Sequence, residues 1–191
     1  MRLYMLSVRR WWAVVPSLGL LVSFATSLGE LGVPVPSLLT GFTTAPAKYF
    51  SPVLVVGATM YVLDRRLADA EATAVTRVRR LDLGGLIVTV LAAHAAGSAA
   101  GWEVSRNTML LLGLALVVRR YANEAAATAS ALGFLILAIL AGRGTGPDGH
   151  AVHAWWAIPL YPSVSLSAWL VAAAVFAIGC ATATRPRDTQ G

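Results

Sequence analysis

The chain is poor in charge, and that scarcity decides its class. Only 13% of its 191 residues are Asp, Glu, Lys or Arg, whereas 57% are hydrophobic, and the mean hydropathy is +0.69. A soluble domain carries about a quarter charged residues. A large water-soluble core is therefore excluded, and an integral membrane protein fits. Cysteine is nearly absent. Cys180 stands alone, which excludes an internal disulfide framework and a Cys-rich metal centre. No G-x-x-x-x-G-K-S/T run occurs, so no phosphate-cradling loop for ATP is expected in this chain. Histidine is limited to His94, His150 and His153. The formal charge of +6 would suggest nucleic acid in a soluble protein. Here the placement of the arginines explains it better, and no nucleic-acid partner is expected.

What the chain has in quantity is apolar runs separated by arginines. A helix crossing the hydrocarbon core needs about 20 residues, with about 17 as a lower limit. Six spans are expected, at roughly 11–27, 48–63, 83–102, 106–118, 125–141 and 164–183, with five as the alternative. The second reaches length only by borrowing residues ahead of Phe50. The fourth is short and must borrow from 102–107 or lie in a thinned or protein-lined region. Arg9 and Arg10 ahead of the first run suggest a signal peptide. The run is long and five more follow, so it is read as the first span. The fold class expected is all-α: one membrane domain over 1–191, with re-entrant or interfacial elements at its outer side.

The basic residues orient these spans. With the N-terminus inside, the inner segments hold Arg2, Arg9, Arg10, Arg65, Arg66, Arg77, Arg79, Arg80, Arg119, Arg120, Arg185 and Arg187. The outer segments hold only Lys48, Arg106 and Arg143, a ratio of 12 to 3. The positive-inside rule then places both termini in the cytoplasm of a multi-pass plasma-membrane protein. Trp11, Trp12 and Tyr121 mark the inner boundary, and Tyr49, Phe50, Trp102, Trp155 and Trp156 the outer one.

Residues 142–156, GRGTGPDGHAVHAWW, hold a G-x-G-x-x-G pattern and two histidines three apart. A dinucleotide fingerprint needs a strand before it and a helix after it. Here a membrane helix precedes, so the glycines with Pro147 and Asp148 are read as a chain reversal. His150 and His153, even with Asp148, fall short of the four ligands a closed zinc site usually takes. No cofactor and no metal are expected in this chain. His94 falls mid-span. An ionisable group at that depth usually faces the bundle or a wet cavity. It is read as a neutral histidine bonded to a neighbouring helix, and is also the one candidate pathway residue.

Two further stretches stand out. Residues 64–80 are rich in Ala, Leu, Arg and Glu, which are good helix formers. Leu67, Ala70, Ala74 and Val78 make a weak apolar stripe, with charge on the other faces. A short cytosolic helix is expected, either a topology anchor touching anionic lipid or a docking element for a soluble partner. Residues 27–51 and 154–161 are apolar yet broken by Gly and Pro. They are expected to pack on or dip into the outer leaflet, since irregular backbone at membrane depth survives only where protein or water satisfies it. Gly97-Ser-Ala-Ala-Gly101 offers a small-residue helix contact.

Val78-Arg-Arg-Leu-Asp82, Arg106-Asn-Thr-Met-Leu-Leu-Leu-Gly-Leu-Ala-Leu and Ala154-Trp-Trp-Ala-Ile-Pro-Leu open the third span, open the fourth, and precede the sixth. With six spans and an inner helix after the second, the chain resembles the permease subunits of ABC exporters of the second type. The short permeases of actinobacterial exporters are the most similar group. The resemblance implies a non-catalytic transmembrane subunit working by alternating access. Its partners would be a second permease chain, membrane lipid and separate ABC-type ATPase subunits that bind ATP and Mg. The docking residues it implies are Arg65, Arg66, Leu67, Glu71, Arg77, Arg79 and Arg80. Antibiotic, peptide or lipid cargo would be consistent with it. Two other classes stand beside it: a small membrane scaffold or immunity protein that binds a partner without transport, and a membrane redox protein using His94, His150 and His153.

Overall fold

The computed structural model describes residues 11–37, 41–64, 68–145 and 151–184. Among them six α-helices form a bundle: α1 (Val14–Ser27), α2 (Pro52–Asp64), α3 (Ala68–Ala100), α4 (Trp102–Tyr121), α5 (Glu124–Ala141) and α6 (Leu166–Thr184). Two antiparallel hairpins extend one end of it. The first pairs β1 (Gly32–Ser37) with β2 (Gly41–Pro46), and the second pairs β3 (Arg143–Thr145) with β4 (Ala151–His153).

Among the described residues three helical stretches are long and apolar enough to cross a membrane: Arg80–Ala100 in α3, Glu124–Ala141 (α5) and Leu166–Ala183 in α6. Their outward side chains are mostly apolar, including Ile87, Val88, Leu91, Ile136, Leu170 and Ile178. Such a belt facing water would forfeit the burial that drives folding, whereas lipid receives it at no cost. This is consistent with a membrane protein. The apolar stretch Trp11–Ser27, a 3-10 turn continued by α1, is shorter. At 13 residues, α2 is about 20 Å long by its rise per residue.

The core lies around α4. This helix packs against α2, α3, α5 and α6. Ten consecutive residues, 104–113, are buried, so every face of nearly three turns is covered by protein. Its 20 residues include the borrowed stretch ahead of Thr108. Glu103 in its first turn and Arg119 and Arg120 in its last complement the helix dipole. The same charges keep α4 from reading as a span by hydropathy.

The turn into α4 is a single residue. Gly101 takes φ 101° between Ala100 and Trp102, a left-handed conformation open to glycine. It sends α4 back along α3, and Gly97 then sits against Ser105, where a β-carbon would lie 2.8 Å from the hydroxyl oxygen. The small-residue stretch 97–101 thus makes an internal helix contact. α5 begins at an Asn123 cap, whose side chain accepts the Ala126 N–H at 2.8 Å.

Several sequence expectations change here. Residues 32–37 and 41–46, expected as irregular backbone packed on or dipping into the outer leaflet, form a two-stranded ladder in register from Gly32↔Pro46 to Ser37↔Gly41. Cross-strand pairing satisfies backbone that a charge-poor loop would leave bare. Within 154–161, Ile158–Leu160 form a buried 3-10 turn. Residues 68–80 are not a separate surface helix but the first part of α3, which runs unbroken for 33 residues. Trp11, expected at the boundary, is buried with its indole over Gly85, while Trp12 stays exposed.

Candidate functional site

Four polar residues in succession, Ser105, Arg106, Asn107 and Thr108, are fully or almost fully buried near the start of α4. Burying a guanidinium costs several kcal/mol unless its donors are met. Arg106 meets them with main-chain oxygens of the segment ahead of α6. Its Nη1 donates to Pro162 O at 2.9 Å, and its Nη2 to Tyr161 O at 2.9 Å and Pro159 O at 3.3 Å. Asn107 completes the arrangement. Its Oδ1 accepts from Arg106 Nη2 at 3.1 Å and Nε at 3.3 Å, and its Nδ2 donates to Pro159 O at 3.0 Å.

The sequence dictates this need. Pro159 and Pro162 prevent a regular helix between 158 and 165. Carbonyls left without helical partners would be orphaned at the packed end of the bundle. A planar fork with five donors serves several acceptors at once, which lysine cannot do. Trp169 reinforces the segment, donating from Nε1 to Ser163 O at 2.8 Å. Arg106 was expected in an outer loop as one of three basic charges there. It is instead 0% exposed, because the helix starts four residues before it. The spacing R-N on α4 with P-L-Y-P ahead of α6 was the available signal, but only the fold brings the two together.

One turn away lies an ion chain. Lys48, the only lysine in the chain, sits in the 3-10 turn Ala47–Phe50. Its Nζ bonds Glu30 and lies 3.0 Å from Glu103 Oε1. Glu30 is 81% exposed at its side chain and Glu103 only 19%. The bridge therefore ties the turn after α1 to the start of α4. Arg143 joins the two hairpins, donating from Nη1 to Thr44 O at 2.7 Å. At the opposite end of α4, Arg119 Nη2 donates to Leu63 O, tying α2 to α4.

The histidines are kept apart. His94 is half-buried on α3. Its Nδ1 lies 2.7 Å from Val90 O, one turn back, and since a carbonyl only accepts, Nδ1 carries the proton. Its ring centroid is 5.4 Å from that of Trp169, on α6. His94 thus bonds its own helix rather than a neighbour and uses α6 for ring contact. His153 is on β4, its ring 6.0 Å from Tyr161. Burial, and then the charge of Arg143 paired across the ladder, hold its imidazole below the usual histidine range. His150 lies outside the described residues. Among the described residues no group of three His, Cys, Asp or Glu is placed to hold a metal ion. In the 142–156 stretch, α5 and not a strand precedes the glycines, and β3 follows it.

Of the docking residues, Arg65, Arg66 and Leu67 lie outside the described residues. Glu71, Arg77 and Arg79 fall on the first part of α3, and Arg80, further along it, is exposed. The polar core at the start of α4 holds that helix to the segment ahead of α6. Comparison with family models, with curated proteins and with solved structures finds no match.

Proposed function

We propose that the chain is the transmembrane permease subunit of an ATP-driven exporter, multi-pass in the plasma membrane with both termini cytoplasmic. It would cross six times, with α1, α2 and α4 completing the three more apolar spans. It would work with a second permease chain, alike or different, and with separate ABC-type ATPase subunits that bind ATP and Mg.

The observation that carries this reading is the unbroken helix α3. Its membrane-length part is Arg80–Ala100, 21 residues. Residues 68–79 extend the same helix by about 18 Å. A stiff arm continuous with a span can carry a push at one end into the bundle. The path runs along α3 to Gly97, across to Ser105, and so to α4 and the Arg106 clamp. The partner-docking residues belong to this arm and its approach: Arg65, Arg66, Leu67, Glu71, Arg77, Arg79 and Arg80. ATP-driven closure of the ATPase pair would move two such arms together, and the cargo path would lie between the two permease chains.

A second reading is favoured by the packing of α4. Ten consecutive residues covered by protein leave that helix no open face along residues 104–113. A membrane scaffold or immunity protein that docks a partner on the arm without transport would need none. The deciding experiment is purification of the chain from its native membrane, followed by ATP-dependent efflux in inverted vesicles. A co-purifying ATPase with ATP-dependent efflux is expected. Stable membrane insertion with neither would sink the exporter reading and leave the scaffold.

A further inference from the structure

The β1–β2 hairpin presents a chargeless face to its surroundings. No charged residue lies between Glu30 and Lys48. The ladder pairs Val33 with Ala45, and Pro34 with Thr44, then Pro36 with Phe42. Side chains alternate across a strand, so Val33, Val35 and Ala45 share one face, and Pro34, Pro36, Phe42 and Thr44 the other. The first face is turned inward at Ala45, which is 0% exposed, and at Val35, which packs on the core, while Val33 toward the strand's start is exposed. β1 rests against α5, a helix whose own outward residues Ile136 and Leu137 are apolar. The second face is open, with Pro34, Pro36 and Thr44 exposed and Phe42 83% exposed.

The edges of the hairpin decide what can cover that face. A proline has no N–H, so Pro34 and Pro36 cannot donate to the ladder and occupy positions turned to the outer edge of β1. That edge is thereby short of donors and is a poor template for another strand. On β2, the carbonyl of Thr44 is already taken by Arg143. Strand addition by a second copy is thereby disfavoured, most strongly at the β1 edge. The remaining edge groups still need water, and an open two-stranded sheet cannot sit in hydrocarbon. The face is apolar and continuous with the apolar belt of α5, while the edges require hydration. The one environment that meets both demands is the boundary between headgroups and acyl chains. Exposed Trp155, two residues beyond β4, belongs to the same hydrogen-bonded end, and tryptophan concentrates at that depth.

We propose that the Pro34–Pro36–Phe42 face of the hairpin binds phospholipid at the headgroup–acyl boundary and anchors this end of the bundle in the membrane surface. The proposal needs only a bilayer-embedded chain and stands apart from the exporter reading. The test uses the full chain in vesicles of phosphatidylcholine and phosphatidylglycerol, with Cys180→Ser as background. An environment-sensitive fluorophore is attached through Phe42→Cys, Pro36→Cys, Val35→Cys or Glu30→Cys in turn. At 42 and 36 we expect strong quenching by lipid spin-labelled near the headgroup, weaker quenching by lipid labelled deep in the acyl chain, and little by aqueous iodide. Position 30 should be quenched by iodide, and position 35 by neither. Iodide quenching at 42 and 36 equal to that at 30 would overturn the proposal in favour of a water-exposed face. Protection from both quenchers there would overturn it in favour of a protein neighbour. The two labelled positions on the open face guard against one variant that misfolds.

Discussion

Gly113 and Gly179 meet backbone to backbone where α4 crosses α6. A β-carbon on Gly179 would lie 2.6 Å from Gly113 O and 3.0 Å from its Cα, and one on Gly113 would lie 2.6 Å from Phe176 Cα. Neither has a positive φ, so the demand is for space rather than backbone freedom. Close approach of this kind is how helices gain contact area in lipid, where no hydrophobic drive joins them. Gly113→Ala and Gly179→Ala are each expected to destabilise by about 1–3 kcal/mol through overpacking. Gly133, also helical, has nothing within 4 Å of its would-be β-carbon. Gly133→Ala is expected to be neutral or to stabilise by up to about 1 kcal/mol, since glycine is the poorer helix former. Thermal unfolding in detergent separates them. Identical behaviour of the three variants would contradict the crossing.

The Arg106 clamp makes a different demand. Arg106→Lys keeps the charge but cannot reach the carbonyls of Pro159, Tyr161 and Pro162 together. Each buried acceptor left bare costs about 1–3 kcal/mol. A loss of about 3 kcal/mol is expected, with faster amide exchange and proteolysis confined first to 157–165. A lysine variant with wild-type stability and unchanged protection there would show that the fork is not what holds the segment.

Legibility follows from the same residues. Hydropathy finds the membrane-length stretches of α3, α5 and α6 because their outward faces are largely apolar, as lipid contact would require. It misses the centrality of α4. A helix surrounded by protein can carry Ser105 through Thr108 and a guanidinium, provided another segment supplies partners, and that segment lies more than 50 residues away. Residues 27–51 were legible as a charge-poor stretch broken by Gly and Pro, but not as one holding a two-stranded ladder. Val-Pro-Val-Pro reads as a broken strand until its register sets both prolines opposite Thr44 and Phe42, at positions whose nitrogens turn away from the partner strand. The continuity of α3 was hidden by the arginines at 77, 79 and 80, which read as a boundary between a surface helix and a span.

The two carboxylates on Lys48 are expected to differ in weight. Glu30 is largely in water, and an exposed pair contributes about 0–1 kcal/mol. Glu103 is mostly covered and anchors the first turn of α4. Glu103→Gln should therefore lower stability by about 1 kcal/mol or more, and Glu30→Gln by less than about 0.5 kcal/mol. Unfolding midpoints at low and high salt check this. A larger loss from the Glu30 variant would place the important contact on the exposed side.

His153 predicts an acid-sensitive hairpin. Its folded-state pKa is depressed by burial and by Arg143. The unfolded chain therefore binds the proton more readily than the folded one. The stability that neutral His153 gives is complete above its unfolded value of about 6.5 and falls as pH drops below it. Amide exchange in 142–154 is expected to rise between about pH 7.5 and pH 5.5 beyond the intrinsic pH effect. His153→Gln should abolish that excess. Persistence of the excess in the variant would assign it to another group.

The arm of α3 gives the sharpest division between a lever and a tether. A topology anchor needs the positive charges of 64–80 but no particular shape. A lever needs an unbroken backbone between the docking residues and the span. Ala74→Pro removes a helix-interior N–H and clashes with the preceding turn, costing about 3 kcal/mol or more locally, whereas Ala70→Pro, in the first turn of α3, is expected to cost less. They leave every arginine in place. Both sites lie ahead of Arg80, where the membrane-length part begins, so insertion and membrane level are expected to persist. If the chain is an exporter subunit, transport should fall to background and ATPase association should weaken. Leu67→Ser should reduce association without altering charge, and Arg65→Lys with Arg66→Lys should preserve topology at smaller cost, unless a bidentate contact to a partner carboxylate is lost. Proline variants that transport normally and keep a bound ATPase would show that force does not travel through residues 68–79, and the principal support for the exporter reading would be gone.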